Sequence, residues 1–203
     1  GTHTFTGSTK TLSGATTTSI ANVAVTGSYS NNGILTVGTA LSGAGSLTNA
    51  SALNISGICS ITTLANAGTA TITGAGAIST VLANFTNTGT LNLNGSGTIA
   101  GITNNAAGID NLSSSGTISS FNNATATSTL NISAAPVPTI TTLTATATDN
   151  TVNYTGTGAQ TVKSTNYYHL GFTGARGANS ITIASTVGIA GNLTNSAPFG
   201  GGT

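Results

Sequence analysis

The sequence predicts an all-β chain wound as a parallel β-solenoid, a β-helix with irregular rungs of about 17–22 residues. Three observations lead there. An aliphatic or aromatic residue, a spacer and an asparagine recur as Leu47-Thr48-Asn49, Leu64-Ala65-Asn66, Leu82-Ala83-Asn84, Ile102-Thr103-Asn104 and Phe121-Asn122-Asn123, with the asparagines 17, 18, 20 and 19 residues apart. Short strand-like segments recur at the same period between them. Charged residues make up only 2% of the 203, far below the quarter usual in soluble domains, while aliphatic residues keep regular places throughout. A period near twenty that slips by a residue or two is what a chain produces when each turn buries its apolar side chains on the turn below.

The whole chain, 1–203, reads as one solenoid domain, with regular rungs over 31–133 and looser ones over 1–30 and 139–197. Residues 1–25 alternate around Phe5, Leu12, Ile20 and Val23-Ala24-Val25, with breaks at Gly7 and Gly14. The turn signal Ser30-Asn31-Asn32-Gly33 leads into the first of a series of short strands, Leu35/Val37, Leu53/Ile55, Ala70/Ile72, Leu91/Leu93, Leu130/Ile132 and Val152/Tyr154. A second column is Ile61, Ile78, Ile99, Ile118 and Ile140, at steps of 17, 21, 19 and 22. Glycine stands two residues before Ile78, Ile99 and Ile118, at corners where the backbone needs positive φ or close approach to its neighbour. Strands this short gain stability only when stacked in register at ~4.8 Å, where each backbone group pairs with the rungs on either side.

The asparagines Asn49, Asn66, Asn84, Asn104 and Asn123 are expected to form a structural ladder, each side-chain amide bonding the next, at corners whose left-handed conformation asparagine tolerates. The sharper alternative is a carbohydrate- or ice-binding row. After Asn123 the pattern loosens, and Ala134-Ala135-Pro136-Val137-Pro138 is expected to be a loop bulging from one rung or an edge segment, because proline donates nothing to a continuing sheet. The bulkier cluster Tyr154, Tyr167, Tyr168 and His169 is either a binding patch or the fatter end of a tapering core. Phe5-Thr6-Gly7 before Thr11-Leu12 echoes Tyr154-Thr155-Gly156 before Thr161-Val162, which suggests a longer repeat of about 150 residues.

The formal charge of +1 lacks the basic footprint of nucleic-acid or polybasic membrane binding, and no apolar run approaches the ~20 residues of a membrane span. The only acids, Asp110 and Asp149, do not form a paired motif, and His3 and His169 sit at opposite ends. Two histidines, one cysteine and two aspartates so dispersed offer no metal set, and no cofactor is expected. Cys59 cannot form an internal disulfide and reads as a small apolar residue of the wall, or, if exposed, as a join between chains. The chain opens at Gly1 without methionine, as a processed form or an excised segment would.

Several phrases share a style. Asn150 through Val162, Tyr167-Tyr168-His169-Leu170, the Gly-Ile-Ala-Gly-Asn-Leu-Thr-Asn run at 188–195 and Lys10-Thr11-Leu12-Ser13-Gly14 resemble the very long, repetitive, secreted surface proteins of Bacteroidetes-type bacteria. The resemblance implies an extracellular or cell-surface location, a β-solenoid fold and a part in adhesion, matrix or filament formation, and it carries no catalytic residues across. The expected function is therefore non-enzymatic, a structural subunit of an extracellular filament, sheath or matrix that self-associates end to end as a homopolymer or as tandem copies. The alternatives are an adhesin stalk or carbohydrate-binding module with a glycan or surface ligand, and then an ice-binding solenoid. The last wants Thr-x-Thr rows one rung apart, whereas Thr2/Thr4/Thr6, Thr69/Thr71/Thr73 and Thr144/Thr146/Thr148 lie several rungs apart.

Overall fold

A computed structural model describes residues 1–74, 84–104, 107–123 and 125–196. The described residues form strands and turns, and every strand pairing among them is parallel. The expected β-solenoid is what results. The chain advances over three faces per turn. Face 1 is the longest series: the start of Thr17–Val25 pairs with the start of Ile34–Asn49, followed by Ala52–Ile55, Thr69–Ile72, Thr90–Leu93, Ile109–Leu112, Thr129–Ile132, Thr151–Tyr154, His169–Phe172 and Leu193–Asn195. Those nine successive pairings join ten strand segments, hence about ten turns.

Face 2 begins with Thr2–Phe5 under residues 22–25 and continues through 40–43 and 58–61. It is taken up again by the first halves of Thr98–Asn104, Thr117–Asn123 and Thr139–Thr144. Face 3 begins with Lys10–Leu12 and Ser28–Asn31 and includes 46–49, 63–66, Asn84–Asn87 and the second halves of the same three strands. Two small parallel sheets, Gln160–Thr161 with Ile181–Thr182 and Asn166–Tyr167 with Gly188–Ile189, complete the later turns.

The core is a set of columns, because parallel register places like residues over like. On face 1, Leu35, Leu53, Ala70 and Leu91 stand in one column, with Val37, Ile55, Ile72 and Leu93 in the next, all buried. Ala52–Ile55, Thr90–Leu93, Thr129–Ile132 and Thr151–Tyr154 alternate half-exposed and buried residues, the period-2 pattern of a sheet with one dry face. On face 2, Ile99, Ile118 and Ile140 lie over one another as expected, and Ile61 is buried at 0% exposure. Ile78, placed in the same column by spacing, lies outside the described residues. Face 3 stacks Tyr29, Leu47, Leu64 and Phe85, then Ile102, Phe121 and Leu143.

The corners need glycine mainly for close approach. A Cβ on Gly89 would stand 2.1 Å from the Gly68 carbonyl oxygen, and one on Gly95 would stand 2.0 Å from that of Gly74. Positive φ matters at Gly43 (φ 116°), where the 16-residue strand Ile34–Asn49 bends between faces 2 and 3 and a Cβ would stand 2.1 Å from the Val25 carbonyl oxygen. Residues 133–138 form the expected loop, from face 1 to face 2. The suggested 150-residue repeat does not hold in space: Phe5 pairs with Val25 on face 2, whereas Tyr154 pairs with Ile132 and Phe172 on face 1. The two phrases share residue types but occupy different sides of the coil.

Column packing sets the first test. Ile118→Ala, which empties a buried site between Ile99 and Ile140, should destabilise the chain by about 2–5 kcal/mol in urea unfolding. Ile58→Ala, on a side chain 44% exposed, should stay within about 0.5 kcal/mol of the parent.

Candidate functional site: two rows of asparagine amides

The strongest polar feature is a buried row at the corner from face 3 to face 1. Asn31, Asn49, Asn66, Asn87, Asn104 and Asn123 each end a face 3 strand and are at most 2% exposed. Each side-chain Nδ2 donates to the Oδ1 of the next, at 2.8, 2.7, 2.8, 3.3 and 3.0 Å in that order. The same nitrogens also donate to main-chain carbonyls at the start of a face 1 strand: Ala52, Thr69, Thr90, Ile109, Thr129 and Thr151, at 2.9–3.2 Å. One amide thus ties its own corner to the next turn. At the ends of the row apolar residues take over, with Leu12 opposite Asn31 and Ala145 and Tyr167 following Asn123.

The ladder is the expected one with two corrections. Asn84 is not a member: it opens the strand Asn84–Asn87 opposite Thr63, and Asn87 lies opposite Asn66. The phrase occurs twice in succession here, as Leu82-Ala83-Asn84 and Phe85-Thr86-Asn87, and register selects the second copy. Asn31 also belongs, and its Tyr29-Ser30-Asn31 is a further copy of the same phrase.

A second row was not foreseen. On the outer side of face 1, Asn153 donates to Asn131 (3.0 Å), Asn131 to Asn111 (2.9 Å), Asn111 to Asn92 (2.8 Å) and Asn92 to the Thr71 hydroxyl (3.3 Å). These amides are half-exposed. Beside them runs a column of Thr69, Thr90, Ile109, Thr129 and Thr151, so threonine and asparagine do occur on one face one turn apart. The signal was present as Leu-Asn-Leu, Asp-Asn-Leu, Leu-Asn-Ile and Val-Asn-Tyr; attention to the apolar members concealed the asparagine between them. Next to this row, at the corner from face 1 to face 2, a groove of about 280 Å3 is lined by Thr73, Asn94, Ser96, Ser113, Ser115 and Pro136 among others. Ser113 turns its hydroxyl to Asn94 Oδ1 (2.7 Å), and Ser114 donates to the Gly95 carbonyl. Row and groove carry amides and hydroxyls and no charge.

The aromatic patch resolves differently. Tyr154 and Tyr167 are buried at 0% and 1% exposure and hold each other. Tyr154 donates to Tyr167 (3.3 Å), Tyr167 to the Lys163 carbonyl (2.5 Å), and the Lys163 amide returns a bond to Tyr154 (2.8 Å). That closed circuit pins the 160–167 loop and leaves neither ring available to a ligand, so these two are core residues. Tyr168 and His169 remain half-exposed, in edge contact at 4.6 Å. His169 Nδ1 accepts from the Asn192 amide (2.9 Å), and its Nε2 lies 3.7 Å from Asp149.

The other ionisable groups are dispersed. Arg176 is 3% exposed, with its guanidinium spent on the carbonyls of Tyr154 (2.7 Å) and Gly158 (3.0 Å) and on Gln160 Oε1 (2.7 Å). Gln160 in turn donates to the carbonyls of Ile132 and Ala134. Cys59 is fully buried beside Leu41, the wall position expected of it, and burial pushes its thiol up to about 12. Among the described residues no three of His, Cys, Asp and Glu gather closely enough to hold a metal ion. No protein-family model, curated protein or solved structure matches the chain.

The two rows predict different sensitivities. Asn66→Ala removes an acceptor from Asn49 and the donor to Asn87 Oδ1 and to the Gly68 and Thr90 carbonyls, all in the interior, and should cost about 3 kcal/mol. Asn131→Ala, where water can replace the lost partner, should cost less than about 1 kcal/mol. Cys59 should resist maleimide at neutral pH in the folded chain and react fully in guanidinium, because a protonated, buried thiol is a poor nucleophile.

Proposed function

We propose that the chain is a non-enzymatic structural unit of an extracellular filament, sheath or matrix, in which solenoid turns continue from one unit into the next. The observation that carries this reading is the in-register three-faced stack, whose outermost described turns keep the same parallel arrangement. Among the described residues, Thr2–Phe5 and Lys10–Leu12 at one end pair on one side only. At the other, Ile181–Thr182 and Gly188–Ile189 do the same. A strand edge with free N–H and C=O groups is a template for a further parallel strand, and lysine, proline or a bulge is the usual means of blunting it. Among these four strands only Lys10 is charged and none contains proline. A second unit placed on such an edge extends the backbone ladder and the aliphatic columns together.

The surface chemistry agrees with this. A nearly uncharged exterior of hydroxyls and amides neither repels a like unit nor recruits polyanions. A second reading, a glycan-binding surface of an adhesin, is favoured by the outer asparagine row and the adjoining groove, which match the hydrogen-bonding character of an uncharged polysaccharide.

Electron microscopy of the purified chain separates the two. The structural reading expects uniform filaments whose diffraction shows a ~4.8 Å axial repeat from parallel turns. Dispersed particles that bind neutral glycans on an array, with binding abolished by Asn111→Ala together with Asn131→Ala, would replace it with the second reading.

A further inference from the structure

Asp110 occupies a place that its neighbours in the column give to leucine. Register sets Leu91 on one side of it and Leu130 on the other, and it is 0% exposed. The strands packed about it, Asn84–Asn87, Thr90–Leu93, Thr98–Asn104, Thr117–Asn123 and Thr129–Ile132, contain no acidic, basic, cysteine or tyrosine residue, and neither does the remainder of its own strand Ile109–Leu112. No cation compensates it.

Its hydrogen bonding is incomplete and intrusive. Oδ1 accepts from Asn87 Nδ2 at 3.0 Å, while Oδ2 has no hydrogen-bond partner among the described residues. Asn87 is a member of the buried row, and its two N–H bonds now face four acceptors: Gly89 O, Ile109 O, Asp110 Oδ1 and Asn104 Oδ1. The step to Asn104 is the longest of the row at 3.3 Å, against 2.7–3.0 Å for the others. The carboxyl therefore competes with the ladder at one rung.

We propose that Asp110 makes this rung a pH-sensitive joint in the solenoid. With the carboxyl protonated, Asn87 remains shared with Asn104 and the row is continuous. When the proton passes to solvent, the carboxylate draws the Asn87 N–H away, since charge-assisted bonds are about twice as strong as neutral ones. An unpaired charge is then left in an apolar column, and the turns on either side part more readily.

The sign follows from burial. Desolvation raises the carboxyl well above its ordinary range, with the bond from Asn87 pulling the other way. The penalty is absent below the unfolded carboxylate value of about 3.9. It grows as pH rises above that value and levels off once the folded group ionises. While the native chain holds this proton and the unfolded chain does not, the unfolding constant rises about ten-fold per pH unit. A filament of such units, on the reading proposed above, would hold in acid and loosen as pH rises above the unfolded carboxylate value.

The test is urea unfolding of the whole chain from about pH 4 to pH 9, with Asp110→Asn and Asp110→Leu alongside. Asparagine keeps the acceptor without the charge, and leucine restores the column. The expected result is a gap between parent and Asp110→Asn that widens by up to ten-fold per pH unit, with Asp110→Leu following the asparagine variant. Hydrogen exchange, corrected for the intrinsic pH dependence, should show protection lost first at Thr98–Asn104 and Ile109–Leu112. A gap that does not change with pH overturns the proposal, as does loss of protection that starts in the terminal turns. Should Asp110→Asn fail to fold, the comparison with Asp110→Leu and the exchange pattern of the parent decide it.

Discussion

The constraint on which the rest of this structure depends is parallel register. Once Leu35 is set opposite Leu53 and Asn31 opposite Asn49, each later turn must offer an apolar side chain at the same inward positions and an amide at the same corner. Backbone pairing alone would tolerate a slip along the strand, but a one-residue slip would turn the aliphatic columns outward and the polar ones in. The buried asparagines add a second lock. Their carboxamides bond the carbonyls where face 3 turns into face 1, and they do so only when six side chains align.

The same constraint explains why the molecule is so poor in charge. A stack of like over like brings equal charges to about 4.8 Å, a costly arrangement on either side of the wall. Amides and hydroxyls suffer no such penalty, because each supplies both donor and acceptor and a column can bond to itself, as Asn92, Asn111, Asn131 and Asn153 do. Charges persist where the repeat is interrupted. Arg176 uses its donors to gather carbonyls near the later loops, and Asp149 with His169 lies beyond the end of the amide row. Asp110 is the exception, a single acid inside a repeating column, and its effect is felt directly in the ladder it adjoins.

Among the described residues the outer polar groups of face 1 lie in a row one turn apart. In the proposed end-to-end stacking, or in the proposed binding of an extended neutral polymer, the partner meets groups already aligned by folding, so little ordering cost is left at the moment of association.

Periodicity was legible in the amino-acid sequence because the repeat acts locally. The recurring asparagine phrase, the isoleucines at 99, 118 and 140 and the scarcity of charge are enough to require stacked turns, parallel pairing and a buried amide row. Choices between adjacent copies were not legible. Asn84 and Asn87 follow similar phrases three residues apart, and only pairing with Asn66 decides between them. Tyr154 and Tyr167 read as a binding patch or as the fatter end of the core, and only when the turns are laid over one another and their hydroxyls meet is the core reading selected. Asp110 was visible as a lone acid, yet its place between Leu91 and Leu130 is a fact of register. Sequence by itself determined what kind of object the chain forms, because burial of a repeating apolar pattern has few solutions. Tertiary structure decided which polar atoms share a corner, because hydrogen bonds depend on sub-ångström placement that a period of 17 to 22 residues does not convey.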